Sequence, residues 1–178
     1  MNTWAGFPLP KDGPAPGSCI RVERPEDGLV FLHLDPPHRS LAVFDGPLLR
    51  DLDAVLQDLE HDHNLKAVVL AGADPLRFAG GADLDAIATF DDPVVLEEVV
   101  LAVHKLFRRL EKLPARTVAA VGGPVPGGAC EISLCCDFIV AADHPKTRIG
   151  LPETQLGIIP GWGGCHRLPR RIGLPAAM

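Results

Sequence analysis

The sequence predicts an α/β fold in which short buried strands alternate with amphipathic helices. Residues 67–72 are apolar throughout and of strand length, which is typical of a strand buried on both faces. Residues 47–60 repeat leucine and valine at spacings of three and four, the pattern of a helix with one apolar stripe. A strand–strand–helix succession recurs along the 178 residues, a length sufficient for one good core. We therefore expect a single domain of repeated units.

The N-terminal third divides into a leader and the first units. Residues 1–18 are rich in proline and glycine, which predicts a flexible leader outside the core, so the domain is expected to cover residues 19–178. Strands are predicted over 19–24 and 28–34. The paired prolines after the second strand bar a helix or an interior strand, so a loop precedes the helix over 47–60.

Later elements follow the same pattern. After the strand over 67–72, Asp83 is expected to cap a short helix. The remaining predicted elements are a long helix over 93–113, a strand over 117–121, a helix over 128–136, a strand over 138–142, an extended run over 148–153 and a helix from about residue 164.

Composition excludes several classes of partner. Seventeen basic and 23 acidic side chains give a net charge of −6, which disfavours nucleic acid or an anionic membrane as a partner. Five cysteines without a CxxC pair indicate reduced thiols in a cytoplasmic protein rather than disulfides or a zinc site. No apolar run of about 18 residues occurs, so no membrane span is predicted. The His61-x-His63 pair lacks a third ligand nearby, and no metal site is predicted.

Two glycine turns, at 80–82 and 127–128, each follow a predicted buried strand and precede a helix. If they lie side by side, each can offer one backbone N–H to a single oxygen, which is the arrangement of an oxyanion hole. Two carboxylates, Glu131 and Glu153, follow in the sequence, and a close carboxylate pair can divide the roles of acid and base. This spacing predicts proton transfer beside a stabilised enolate.

Simpler interpretations of the same residues stay open. The turn at 127–128 is also compatible with a structural bend, and Glu131 with a first-turn residue that complements the helix dipole. Cys130 is either a thiol of lowered pKa near a helix N-terminus or a packed structural cysteine. The sequence contains no GxxxxGK[ST], GxGxxG or GxSxG, which excludes the usual P-loop, dinucleotide and hydrolase signatures.

Three motifs together resemble those of a known family. Residues 78–84 read FAGGADL, residues 126–131 read PGGACE and residues 151–164 read LPETQLGIIPGWGG. In this order they resemble the enoyl-CoA hydratase/isomerase (crotonase) family over about residues 19–178. The chain is similar in particular to the hydratase part of multifunctional fatty-acid oxidation enzymes.

The resemblance implies a crotonase-like spiral of ββα units that binds an acyl-CoA thioester. The backbone N–H groups of Ala82 and Gly128 would form the oxyanion hole. Glu131 and Glu153 match the family's two acid/base glutamates, and the Gly161 N–H would help to place the water. Coenzyme A is then part of the substrate, and no further cofactor is implied.

The resemblance also implies a coenzyme A path and an assembly. Arg39, Gly81, Asp83 and Leu84 would line the path to coenzyme A, although Arg39 is equally compatible with a solvated surface arginine. The usual family member is a trimer or hexamer, so a homo-oligomer is expected.

This sequence departs from the family pattern chiefly in length. The usual C-terminal helical segment is absent, so either this is part of a longer enzyme or it is a shortened relative. Because both glutamates are present, the resemblance implies an enoyl-CoA hydratase of fatty-acid β-oxidation. The alternatives are an enoyl-CoA isomerase or a non-catalytic acyl-CoA-binding remnant.

Overall fold

A computed structural model describes residues 2–178. In this part of the chain the strands form one five-stranded sheet and two two-stranded sheets. The strands are β1 (Asn2–Trp4), β2 (Phe7–Leu9), β3 (Ile20–Glu26), β4 (Leu29–Leu34), β5 (Ala67–Gly72), β6 (Arg116–Val121), β7 (Pro124–Pro126), β8 (Phe138–Ala141) and β9 (Arg148–Gly150). The helices are α1 (Gly46–Glu60), α2 (Leu84–Ile87), α3 (Pro93–Glu111), α4 (Gly128–Ser133), α5 (Gly164–Ile172) and α6 (Leu174–Ala177), with a 3₁₀ helix at Glu153–Leu156.

The large sheet has the order β3-β4-β5-β6-β8. Strand β3 is antiparallel to β4, and the remaining neighbours are parallel. Parallel neighbours need crossover connections, which here contain helices α1, α3 and α4. The bounds predicted from apolar periodicity agree with these elements to within about three residues at each end, as expected for element boundaries.

Four turns of the chain repeat one unit. Each unit has a strand of the large sheet, a short second extended segment and a helix. In the last two units the second segments are β7 and β9, which pair in parallel. In the first two they are Phe44 and Ala82, which form an isolated parallel bridge. The second segments therefore pair two by two.

The sheet is covered on one face. Alternate residues of β4, β5 and β6 are buried, and they share one hydrophobic cluster with the apolar stripes of α1 and α3. The prediction that strand 67–72 is buried on both faces is wrong, because Ala67, Val69 and Ala71 are only half-buried. On the same outer face Phe138 and Val140 of β8 are 56% and 60% exposed. Uniform apolarity specifies a strand but cannot show which face a helix will cover.

Residues 2–9 pack on the domain, so the prediction that residues 1–18 lie outside the core is wrong for this part of the predicted leader. Strands β1 and β2 form a hairpin, and the Phe7 side chain is fully buried. Its ring lies edge-on to Phe90 with 5.9 Å between ring centroids. The Trp4 indole N–H donates to Asp53 of α1 at 3.1 Å. Proline and glycine content alone did not reveal these apolar anchors.

The connections after β5 and β6 pack backbone against backbone. A Cβ added at Gly122, just after β6, would lie 1.9 Å from the carbonyl oxygen of Pro75, which follows β5. Only glycine permits this approach. The Phe78 N–H donates to the Gly122 carbonyl at 3.4 Å, joining the two connections. The glycine turns that follow in each connection are thereby brought together.

Candidate active site

One cavity of about 360 Å³ collects residues from the last three units of the fold. Its polar part contains Glu131 of α4 and Glu153 of the 3₁₀ helix. Its wall is largely apolar, with side chains from α2, α3, the 3₁₀ helix and the loop that precedes α5: Leu84, Ile87, Leu96, Val100, Leu156, Ile158, Ile159 and Trp162. The backbone of Gly80–Ala82 and Pro126–Gly128 forms another side of the cavity.

The two glycine turns lie side by side, as their spacing predicts. A Cβ built on Gly128 would lie 3.3 Å from the backbone nitrogen of Ala82, and one built on Gly81 would lie 3.4 Å from that of Gly128. Hydrogen bonds from the Phe44 N–H to Gly81 and from the Asp83 N–H to Phe44 hold the first turn in place. Within residues 2–178, neither the Ala82 nor the Gly128 N–H donates to a protein acceptor. Two neighbouring backbone donors are therefore available to a ligand oxygen.

Glu131 is a buried carboxylate held by backbone donors. Its side chain is on the first turn of α4, and the residue is 2% exposed. Oε1 accepts the N–H groups of Trp162 and Gly164, both at 2.8 Å. Because Gly164 is the first residue of α5, this carboxylate lies at the positive end of that helix. Neither of these two N–H groups donates to Oε2 of Glu131.

Burial raises the pKa of Glu131 above the ordinary range of a glutamate, because the ionised form has lost its hydration. The two backbone N–H groups act in the opposite direction by stabilising the carboxylate. The charge of Glu153 raises the pKa further, and that of Arg167 lowers it. Glu131 is thus poised to exchange a proton closer to neutral pH than an exposed glutamate.

Glu153 reaches the same cavity from a different element. The residue is 8% exposed, and it begins the 3₁₀ helix after Pro152. Its Oε1 would lie 2.9 Å from a Cβ at Gly127, so the carboxylate packs against the turn that supplies the Gly128 N–H. Among the described residues, its buried Oε2 has no hydrogen-bond partner. An oxygen of this kind is free to accept or deliver a proton at a ligand atom.

The structure brings most of the predicted site residues together. Glu131, Glu153, Gly81, Ala82, Leu84, Gly128 and Gly161 all line the cavity. Arg39 and Asp83 lie beside it, not in its wall, and they pair with each other at 2.6 Å. Arg39 also binds Asp45 at 2.8 Å, and Asp83 caps α2 as predicted by accepting the Ala86 N–H. The contribution of Arg39 and Asp83 to coenzyme A binding stays a prediction.

Three features of the site were not predicted from the sequence. The N–H groups of Trp162 and Gly164 bind Glu131, Arg167 contacts the Trp162 carbonyl, and Leu96 and Val100 face the cavity. The first two depend on how the loop before α5 folds back over α4. The third was hidden because helical periodicity assigns Leu96 and Val100 to the core stripe of α3.

Alternative chemistries find less support. Burial raises the pKa of the Cys130 thiol to about 12, so the alternative of a thiol with lowered pKa is wrong. Residues 2–178 hold no group of three or more potential metal ligands, so His61 and His63 have no third ligand there. None of the helices in the described part of the chain is long and apolar enough to cross a membrane.

Comparison with known proteins identifies the family to which this chain is similar. The model of the family "Enoyl-CoA hydratase/isomerase" matches residues 25–178. The chain is 36% identical over 158 residues to the fatty acid oxidation complex subunit alpha of Aliivibrio fischeri, covering 88% of this chain and 23% of that protein. It is 36% identical over 149 residues to the same subunit of Vibrio vulnificus, covering 84% of this chain and 21% of the relative.

Solved structures give the same result for the fold. An enoyl-CoA hydratase from Bacillus anthracis superposes with a TM-score of 0.80 at 34% identity, covering 89% of this chain and 60% of that one. The human mitochondrial delta3-delta2-enoyl-CoA isomerase gives 0.79 at 31% identity, with 89% and 61% covered. The predicted crotonase-like α/β fold is confirmed, and the chain spans less than a quarter of the oxidation-complex subunits it matches. The chain belongs to the enoyl-CoA hydratase/isomerase family.

Proposed function

We propose that this chain hydrates a 2-enoyl-CoA thioester in fatty-acid oxidation. The single observation that carries the proposal is the presence of two buried carboxylates, Glu131 and Glu153, in the cavity that also holds the paired N–H groups. Addition of water across a conjugated double bond needs a base for the water, an acid for Cα and a stabiliser for the enolate oxygen. The cavity contains a candidate for each.

The thioester oxygen would sit between the N–H groups of Ala82 and Gly128. When water attacks Cβ, electrons move through the double bond to this oxygen, and both N–H groups then hydrogen-bond to it more strongly. Preorganised donors of this kind stabilise charge that develops in the transition state, and each typically contributes about 10²–10³ in rate. The N–H of Gly161, in the cavity wall, is proposed to help hold the water.

The two glutamates divide the proton transfers. Glu131 accepts a proton from the attacking water as its oxygen bonds to Cβ, and Glu153 donates a proton to Cα as the enolate collapses. The product is a 3-hydroxyacyl-CoA, and the pair is restored when a proton passes from Glu131 to Glu153. The two N–H groups on Glu131 suit the ionised partner, and the free Oε2 of Glu153 suits the donor. General acid–base steps of this kind are each worth about 10²–10⁴ in rate.

The test is turnover of crotonyl-CoA, followed by loss of the enoyl thioester absorbance. The wild-type chain should consume the substrate, and Glu153→Gln should abolish turnover because the amide cannot supply the proton. Asp143→Asn offers a matched control, since this carboxylate follows β8 and lies outside the cavity wall. Undiminished turnover in Glu153→Gln would overturn the assignment.

Isomerisation is the second candidate, since one of the structural neighbours is an enoyl-CoA isomerase. Moving a double bond from C3 to C2 needs one group that removes and returns a proton, whereas hydration needs both carboxylates. With 3-hexenoyl-CoA as substrate, an isomerase would retain activity in Glu131→Gln. A hydratase should lose crotonyl-CoA turnover in this variant as well as in Glu153→Gln. Acyl-CoA binding without any turnover would instead indicate a non-catalytic domain.

The remaining expectations stay predictions. A homo-oligomer, a cytoplasmic location and the absence of a further cofactor are compatible with the proposed hydration, which uses only the substrate, water and side chains of this chain. The mass of the protein in solution tests the homo-oligomer, and cell fractionation tests the location. The activity of protein freed of small molecules tests whether a further cofactor is needed.

A further inference from the structure

Arg167 has an unusual environment for an arginine. It lies on the first turn of α5, and only 13% of its side chain is exposed. One terminal nitrogen donates to the carbonyl of Trp162 at 3.0 Å, and the other approaches Glu111 of α3 at 3.4 Å. Within residues 2–178 its buried Nε has no hydrogen-bond partner. A buried guanidinium with incomplete hydrogen bonding is costly, which indicates a role beyond surface solvation.

The loop before α5 is shaped around this guanidinium. Gly163 has a φ of +105°, a conformation that side chains other than glycine rarely adopt. A Cβ at Gly163 would also lie 2.1 Å from a terminal nitrogen of Arg167. The positive φ is the reason for glycine at this position, and the short distance shows that the guanidinium packs directly against the backbone of the loop.

The contact with Trp162 leads directly to the candidate catalytic carboxylate. The Trp162 carbonyl accepts a hydrogen bond from Arg167, and the N–H of the same tryptophan donates to Glu131. The next donor to Glu131, the Gly164 N–H, lies two residues further along the same loop. Arg167 does not itself line the cavity, and among residues 2–178 no hydrogen bond or ion pair joins it to Glu131, but it holds the segment that binds Glu131.

We propose that Arg167 is a positioning residue that locks residues 161–164 so that the Trp162 and Gly164 N–H groups hold Glu131 in its reactive orientation. The inference rests on the proposed function for its catalytic consequence. Its structural content, a loop held by one arginine, does not depend on which reaction the cavity performs.

The charge of Arg167 adds a second, measurable effect. The charged groups around Glu131 are Glu153 on the 3₁₀ helix and Arg167 on α5, and Arg167 in turn lies near Glu111 and His104 of α3. The neighbouring thiols of Cys130 and Cys135 have pKa values raised by burial to about 12, so they stay uncharged over the pH range of the assay. Of the charged groups, Arg167 lowers the pKa of Glu131, against burial and Glu153. Removing its positive charge should raise that pKa, so the acid limb of the pH–rate profile should move to higher pH.

The experiment compares Arg167→Gln and Arg167→Lys with the wild-type chain and with Arg170→Gln. Arg170 is on the same helix and is exposed, and among residues 2–178 its hydrogen bonds stay within α5, at His166. Two readouts are used: backbone amide hydrogen exchange at Trp162 and Gly164, and crotonyl-CoA hydration as a function of pH.

Loss of a charged hydrogen bond should speed exchange of both amides in Arg167→Gln by roughly 10-fold or more. The variant's kcat should fall by about 10², as expected for a misplaced catalytic group, with little change in KM. Arg167→Lys keeps the charge but not the planar fork, so its kcat should be intermediate and its acid limb should stay near that of the wild type. Arg170→Gln should match the wild type in both readouts.

Wild-type exchange rates and kcat in Arg167→Gln would overturn the proposal. So would a fall in kcat with unchanged exchange at Trp162 and Gly164, or equal losses with an identical acid limb in the Gln and Lys variants. If Arg167→Gln does not fold, Arg167→Lys decides by its exchange rates. If the wild-type chain hydrates nothing, the proposed function fails, while exchange at the two amides still tests the positioning role.

Discussion

Gly128→Ala is the sharpest test of the paired backbone donors. The added methyl carbon would lie 2.3 Å from Cζ3 and 2.6 Å from Cε3 of Trp162, far inside van der Waals contact. It would also approach the Ala82 nitrogen to 3.3 Å, at the point where the ligand oxygen is proposed to bind. The tryptophan cannot easily retreat, because its ring packs edge-on against Phe44 and Phe107 at 6.1 and 5.7 Å between centroids.

Two magnitudes follow from this clash. Overpacking a close-packed interior costs about 1–3 kcal/mol, so the free energy of unfolding should fall by that amount. If the backbone shifts to relieve the contact, one oxyanion donor is displaced, and kcat should fall by about 10²–10³. Because the loss arises in the transition state, KM for crotonyl-CoA should change much less.

The assay is crotonyl-CoA hydration together with urea unfolding, and Gly150→Ala is the matched control. Gly150 has no positive φ, and nothing in the described part of the chain lies within 4 Å of a Cβ built there. Its substitution should leave kcat within about twofold of the wild type, because the added methyl group enters open space and the Gly150 carbonyl can still accept the Gly127 N–H. Wild-type kcat in a folded Gly128→Ala protein would refute the paired-donor geometry.

Three further predictions concern other parts of the molecule. Because burial raises the pKa of Glu131, its contribution to stability is fully present below the unfolded pKa and is lost as the pH rises through the folded pKa. Urea unfolding of Glu131→Gln should therefore show a smaller stability loss between pH 4 and neutrality, by about 1.4 kcal/mol per pKa unit, and an unchanged pH dependence would contradict this. Phe7→Ala should lower the free energy of unfolding by about 3–5 kcal/mol, whereas Phe138→Ala, at an exposed position, should cost far less; equal effects would argue against a packed hairpin. A thiol reagent should modify the exposed Cys165 quickly in the native protein. It should modify the buried cysteines only after unfolding, and these are Cys19, Cys130, Cys135 and Cys136. Rapid labelling of more than one thiol in the native protein would contradict their burial.

The elements of the fold could be predicted because each has a local signal. The apolar run of β5 and the leucine stripe of α1 are set by periodicities that the backbone geometry imposes on neighbouring residues. Asp83 as a helix cap is likewise a local property, since the side chain bonds to a backbone N–H three residues away. The N-terminal hairpin escaped prediction because its stability comes from Phe7 and Trp4 reaching partners distant in sequence.

The two glycine turns, the two glutamates and their order could be predicted, because each depends on residue type at a short spacing. That Ala82 and Gly128 are neighbours depends on long-range packing, since the approach of Gly122 to Pro75 joins connections about 47 residues apart. Folding also gives Glu131 two backbone donors, one from the loop before α5 and one from the first residue of α5, and it places Arg167 against that loop. Hydrogen bonds between distant segments leave no periodicity in a sequence, so a carboxylate's surroundings become visible only when the chain has folded over it.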